Sequence, residues 1–482
     1  MKTLIKTIAV GALALGLASI GSAQETINIV GSTAFRNFVT EAEVAAASHV
    51  GSNLGTGVPD VAYVESGKSF NTTTGASGAT HSIVHGYLSN GTTEVFFRNY
   101  WTGSLSGVVD LALGTSDNFI STSDTRSAYT GGGTLDSSPT YNSVAPNVTM
   151  TDAQASDCAA SLAGLNAADA STILSSSMTD AGVTAGAKHT VGLVTFEWVL
   201  GNIGSATVPF TNITSQQASA LVSNGIEPLS FFTGNTSDSA NFVVFIGRNE
   251  DSGTRILTFG ESQSGGLAGS WNLGQSCEQF MIQQSGTSTG YSGGYPTTNG
   301  STIVQGTGVT GFKPWPQNWP LNTENSLNWH TTGHSGYTGG GDVANVLKCL
   351  NPVSTTGWSV SGAPSNFVAG TSTVYIVSCL GCSDAATAIT GGGHALSYNG
   401  VSYNSGSTAN IAAGEYTPWN FEHCYYLTSA TGSQVAIGSN KTAADALADQ
   451  IYSTPTSTLS PTGVKFTDLV INRGFNAGIA PQ

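Results

Sequence analysis

Short apolar runs recur along the chain at residues 27–30, 95–97, 108–113, 191–196, 242–246 and 374–377. Runs of this length bounded by turn residues predict buried strands. Between them, 34–49, 214–222, 254–259, 342–350 and 443–452 have the spacing of helices. Ser32 or Thr33 is placed to cap the first helix, and Thr214-Ser215 to cap a later one. Alternation of strand and helix predicts an α/β fold built on an open sheet. Four of the apolar runs are followed by small or hydroxyl-bearing residues: Gly31-Ser32-Thr33, the stretch 102–107, Gly114-Thr115-Ser116-Asp117, and Ser252-Gly253-Thr254. Open α/β sheets bind ligands at the carboxyl ends of their strands, so four such ends would converge on one site.

The most informative of these stretches is 245–255, Phe-Ile-Gly-Arg-Asn-Glu-Asp-Ser-Gly-Thr-Arg. A strand that turns through Ser252-Gly253-Thr254 into a helix presents unpaired backbone N–H groups and the positive end of the helix dipole. Arg248 can grip a tetrahedral oxyanion with two parallel hydrogen bonds. Together they predict one wall of an anion site. The alternative for the stretch is an ordinary strand–turn–helix with an exposed Arg and a capping Ser.

Composition narrows the setting. Residues 1–23 carry Lys2 and Lys6, an apolar run from Ile8 to Ile20, and Gly21-Ser22-Ala23. This order predicts a secretory signal cleaved after Ala23, too short to span a membrane stably. A soluble periplasmic or secreted protein with no membrane span is therefore expected. The 482 residues suffice for two or three domains. Only 9% of them are charged and the formal net charge is −15. So acidic a chain argues against nucleic acid as a partner, but a local anion site needs only backbone dipoles and one Arg. Cys158, Cys277, Cys349, Cys379, Cys382 and Cys424 predict at least one disulfide in an oxidising compartment. The Cys379-Leu-Gly-Cys382 spacing is read as a structural disulfide rather than a redox or zinc motif. His81/His85 and His330/His334 are spaced i,i+4 but lie in Gly/Ser/Thr-rich stretches, and no metal or other cofactor is expected. No HExxH or Walker sequence is present.

In this order, the segments resemble those of the phosphate-binding proteins of bacterial ABC phosphate importers. Arg248-Asn-Glu-Asp-Ser252-Gly253-Thr254 is similar to that family's R-x-x-x-S-G-T. The stretch 107–117 resembles its G-x-V-D-F-x-x-x-S-D segment, and 31–35 and 101–107 resemble its two Gly- and hydroxyl-rich turns. The stretch 414–423 is similar to its G-x-Y-x-x-W-x-x-E-H. The resemblance implies a two-lobed type II periplasmic-binding-protein fold with inserted loops or hairpins and a ligand cleft between the lobes. Lobe 1 would comprise 24–190, with an insertion of loops and short helices at about 125–188. Lobe 2 would comprise 191–379, with a low-complexity insertion of hairpins and loops at about 283–341. Residues 380–482 would return to lobe 1. The resemblance also implies the ligand set: Thr33, Ala34, Phe35, Ser104 and Asp117 from one lobe, and Arg248, Ser252, Gly253 and Thr254 from the other. The ligand would be inorganic phosphate or a related oxyanion, captured by hinge closure without catalysis, and an ABC transporter permease would be the partner. The atypical insertions and the departure of the first turn from the family's spacing set this chain apart. Asp117 would accept the proton that phosphate carries and sulfate lacks, leaving sulfate with facing lone pairs; its alternative is a helix cap. Two other functions fit the composition: a secreted surface, adhesive or scaffold protein that keeps the fold, and an extracellular phosphoester hydrolase.

Overall fold

A computed structural model of the chain describes residues 24–48, 60–63, 70–71, 75–76, 79–124, 134–135, 139–163, 166–183, 191–249, 251–263, 279–284, 291–292, 295–296, 309–314, 336–337, 339–349, 365–404, 409–453, 471–473 and 479–481. The expected signal at 1–23, Cys277 and His330/His334 lie outside the described residues.

The architecture is mixed α/β around a 14-stranded sheet. Its main strands are β1 (Gln24–Gly31), β2 (Asp60–Tyr63), β3 (His81–Tyr87) and β4 (Glu94–Tyr100). Further along come β5 (Asp117–Ile120), which pairs apart with β6 (Tyr141–Val144), then β7 (Val148–Thr151) and β8 (Gly192–Leu200). The second half adds β9 (Ile226–Pro228), β10 (Phe242–Phe245), β11 (Val374–Gly381), β12 (His394–Tyr398) and β13 (Trp419–Leu427). The sheet runs β9-β10-β11-β8-β13-β7-β1-β4-β3-β2, with β12 also pairing β8. β1 is parallel to both β4 and β7, so β1 ends deep inside the sheet with its carboxyl end available.

Two strands join the halves. β8 uses Gly192–Thr195 against β13 and Phe196–Leu200 against β11. β13 uses Trp419–Glu422 against β8 and His423–Tyr425 against β7. All nine residues of β13 and eight of the nine in β8 are buried. Burial on both faces requires near-continuous apolar sequence, which Leu193, Val194, Phe196, Trp198, Val199 and Leu200 provide.

The helices that frame the site are α1 (Arg36–Ala47), α2 (Ser104–Leu113), α3 (Ala155–Ala163), α4 (Ser215–Asn224), α5 (Gly253–Gln263), α6 (Gly340–Leu347), α7 (Cys382–Thr390) and α8 (Lys441–Ser453). α4 starts with a full capping box, Thr214 and Gln217 bonding each other's backbone. Among the described residues no helix is long and apolar enough to cross a membrane.

Four expectations change. Residues 108–113 are the body of α2 rather than a strand. They are buried on nearly all sides, where an apolar run carries no period, and the left-handed Gly114 (φ 67°) ends a helix. α1 begins at Arg36 without a side-chain cap, because the Ser32 N–H bonds the Met150 carbonyl (2.8 Å) and the chain leaves β1 through residues 33–35 before coiling. The stretch 125–188 is not only loops and short helices: it supplies β7, fully buried between β1 and β13. Finally, Cys158, Cys349, Cys379, Cys382 and Cys424 are free thiols. Cys379 lies within β11 opposite Trp198 while Cys382 opens α7 against the Thr195 hydroxyl (3.1 Å), so the two side chains serve different neighbours and no bond joins them. His81 and His85 lie on β3, stacked on Tyr100 (4.3 Å) and Phe96 (4.1 Å).

Candidate functional site

Two helix N-termini from different halves of the sheet meet edge to edge. α2 begins at Ser104 after Gly103, whose N–H bonds the Gly31 carbonyl (2.9 Å) at the end of β1. α5 begins at Gly253 after a turn in which the Ser252 N–H bonds the Asn249 carbonyl (3.3 Å). The Leu105 N–H, in the first turn of α2, bonds the Asp251 carbonyl (3.0 Å) across the junction. Glycine is required on both sides: a Cβ on Gly103 would lie 2.6 Å from the Asp251 carbonyl oxygen, and one on Gly253 would overlap Asp152 Oδ1 and lie 2.8 Å from Ser104 Oγ. The N-terminal ends of both helices, with their positive dipole ends, therefore lie beside one small volume.

A carboxylate already occupies that volume. Asp152 follows the last residue of β7, one residue beyond the level of Ser32, since Gly31 pairs with Met150. Ser104 Oγ donates to Asp152 Oδ1 and is also reached by the Asp152 N–H (3.5 Å). The Asp152 carbonyl is held by Asn420 Nδ2 (2.8 Å), which ties the loop to β13. Burial pushes the Asp152 carboxyl above the usual carboxylate range, opposed by the Ser104 hydrogen bond and by the charge of Arg248. Glu422, on β13, is fully buried, and neither of its oxygens makes a hydrogen bond. Burial first, and the charge of Asp152 second, push it well above the carboxylate range. The hydroxyls of Ser32, Thr102 and Ser106, around the same helix start, are likewise buried without partners. Orphaned polar atoms are rare in folded interiors, and a cluster of them calls for an explanation.

Arg248 closes the other side. Its Nε donates to the Tyr337 carbonyl (3.1 Å), and its own carbonyl accepts from Gln279 Nε2 (2.9 Å) and Arg255 Nη1 (3.3 Å). Burial lowers its pKa, against the pull of Asp384, Asp152, Asp342 and Asp251, largest first. Asp384, at the start of α7, is also raised by burial and also answered by Arg36 and Lys348. Thus, among the described residues, Arg248 is the cation acting on Asp152 but shares Asp384 with Arg36 and Lys348.

Of the residues named from sequence, Ser104, Arg248, Ser252, Gly253 and Thr254 are drawn together here, all of them buried. Thr254 lines a small crevice with Arg248, Thr258, Phe259, Gln279 and Cys379. Thr33 sits half-buried in the turn after β1. Ala34 and Phe35 line a separate crevice with Leu193, Val194, Thr195, Gly381 and Cys382, where the Phe35 ring lies against Gly192. Asp117 is buried at the start of β5, paired with Val144, and is not among the carboxylates acting on Arg248. Because 108–113 is helical, Asp117 follows the end of α2 that lies about 15 Å from Ser104.

Asp152, Asp384, Asp342 and Glu422 were not assigned a role from sequence. Glu422 lies within the stretch 414–423. The rule of strand ends would have found Asp152, had β7 been recognised as a strand.

No protein-family model matches the chain, and no curated protein matches it in sequence. Among solved structures, it is similar to a phosphate ABC transporter substrate-binding protein with bound phosphate from Clostridium perfringens, at TM-score 0.36 and 11% identity, covering 89% of this chain and 93% of that one. It is also similar to PstS from Borrelia burgdorferi, at TM-score 0.31 and 9% identity, covering 89% of this chain and 93% of that one.

Proposed function

We propose that this chain is an exported solute-binding protein that takes phosphate, or a related tetrahedral oxyanion, between the N-termini of α2 and α5, without catalysis. One observation carries the proposal: Ser104 and Gly253, opening two helices from different parts of the chain, enclose a position that an oxyanion, the Asp152 carboxylate, fills. A locus that holds a carboxylate with a serine hydroxyl at the start of a helix has donor chemistry suited to phosphate. Arg248 supplies the positive charge behind it. Ser252 and Thr254 supply further hydroxyls and Thr33 the flank, while Asp117, beyond the far end of α2, and Ala34 and Phe35, in their own crevice, stand apart from this locus. The segments 24–190 with 380–482, and 191–379, act as two lobes that close by bending where β8 and β13 pass between them. An ABC permease is the partner such a binder would serve.

Isothermal calorimetry of the purified protein with phosphate, sulfate and arsenate tests the proposal. Saturable phosphate binding, weakened by at least tenfold in Arg248→Ala, is expected. No measurable binding of any oxyanion to the wild type or to variants with a smaller side chain at 152 overturns it.

A second reading, a secreted surface or scaffold protein that retains the fold, draws on a specific observation. Arg248 is already answered by four carboxylates, so its charge is spoken for in the absence of ligand. The same titration separates the two, since a scaffold binds no oxyanion even when Asp152 is removed.

A further inference from the structure

The inference deepens the oxyanion reading and rests on it. The carboxylate of Asp152 lies where the bound anion has to go. Its Oδ1 accepts from Ser104 Oγ and stands against the Cα of Gly253, so close that a methyl group at Gly253 would overlap it. Two oxyanions do not fit in one such position, and their mutual repulsion in a buried setting is large. The loop that carries Asp152 is anchored by its backbone to Asn420, so the side chain can leave while its backbone stays.

We propose that Asp152 is an internal competitor: it closes the site by occupying the oxyanion position, and external ligand binds by displacing it.

The groups facing Asp152 decide where its charge goes on displacement. From α2 it meets the Ser104 hydroxyl, from the turn before α5 the Arg248 guanidinium, from β13 Glu422, and from α3 the Cys158 thiol. Burial keeps the thiol neutral. The one cation among them is then shared with the incoming anion, while Glu422 offers a second acid with no hydrogen-bond partner. A second anion beside Asp152 raises its affinity for a proton, so ligand binding takes up a proton from solvent. Sulfate reports this cleanly, because it neither gains nor loses a proton across the neutral range. Its affinity for the wild type should rise as pH falls, by up to about tenfold per pH unit for one proton taken up.

The consequence is opposite to that of a carboxylate that contacts ligand. Asp152→Ala and Asp152→Asn should bind phosphate and sulfate at least tenfold more tightly than the wild type, and the pH dependence of sulfate binding should flatten. Thermal unfolding of each variant, run alongside, establishes that it is folded, and the Asn variant keeps the shape and a hydrogen bond to Ser104. The test is calorimetry of the full chain with phosphate and with sulfate across several pH values. Tighter binding by both variants supports the proposal, including the case in which the wild type binds nothing detectable. Equal or weaker binding by the variants, with the wild type binding phosphate, overturns internal competition and leaves the oxyanion reading standing. Absence of binding by wild type and variants alike overturns both.

Discussion

Replacing Arg248 by Met tests whether the guanidinium is what allows a carboxylate to be buried at Asp152. Arg248 is buried, and burial disfavours its own charge, so it is held in place by the acids around it. Asp384 keeps Arg36 and Lys348 when Arg248 is removed, but Asp152 keeps the Ser104 and its own backbone hydrogen bonds and no cation among the described residues. The loss therefore falls mainly on Asp152. Breaking a buried charge pair on one side typically destabilises by about 3–5 kcal/mol. The effect has a sign in pH. Asp152 already has a folded pKa raised above its unfolded value, and losing Arg248 raises it further. A raised group contributes stability that is full below its unfolded pKa and is lost as pH rises through its folded pKa. The deficit of Arg248→Met should thus be largest in mild alkali and shrink as pH falls and Asp152 takes up a proton. Urea unfolding followed by tryptophan fluorescence, in phosphate-free buffer at several pH values, measures it. Adding Asp152→Asn to Arg248→Met should recover about 1–3 kcal/mol, the coupling expected of groups in one buried network. A loss under about 1 kcal/mol that is the same at every pH, with no recovery in the double variant, would refute the assignment.

Gly253→Ala places a methyl group on Asp152 Oδ1, so it should cost about 1–3 kcal/mol in urea unfolding and weaken phosphate binding at least tenfold in calorimetry. Glu43, buried beneath Asn99 on α1, is pushed by burial up to about 8. Glu43→Gln should remove a fall in stability of up to about 1.4 kcal/mol per pH unit between the unfolded carboxyl pKa and about 8, seen as a flatter profile of urea midpoint against pH. Thiol titration of the unfolded, unreduced protein should find at least the five free cysteines, and a reducing agent should leave the melting temperature unchanged.

The strand ends and their Ser/Thr/Gly turns were legible in the sequence because they are local: an apolar run, a small residue and a hydroxyl occupy adjacent positions. Ser104, Arg248, Ser252 and Gly253 could be named on that basis, and they do come together. The α/β class followed from the same alternation. Whether 108–113 is strand or helix could not be read, because a segment buried on nearly all sides shows no period, and with it went the placement of Asp117. Disulfides were expected from compartment alone, whereas bond formation depends on where separate strands and helices deliver each sulfur.

What the sequence by itself determined is the supply of parts: two helix starts free of large side chains, one Arg beside them, and strands apolar enough to be buried. What only the tertiary structure decided is which carboxylate stands among them. Asp152 and Glu422 are 270 residues apart in the chain, and they meet because β7 pairs with β13 in the middle of the sheet. Their raised proton affinities arise from shared burial, with the charge of Asp152 adding to the shift of Glu422, properties of the space between elements that no local pattern encodes.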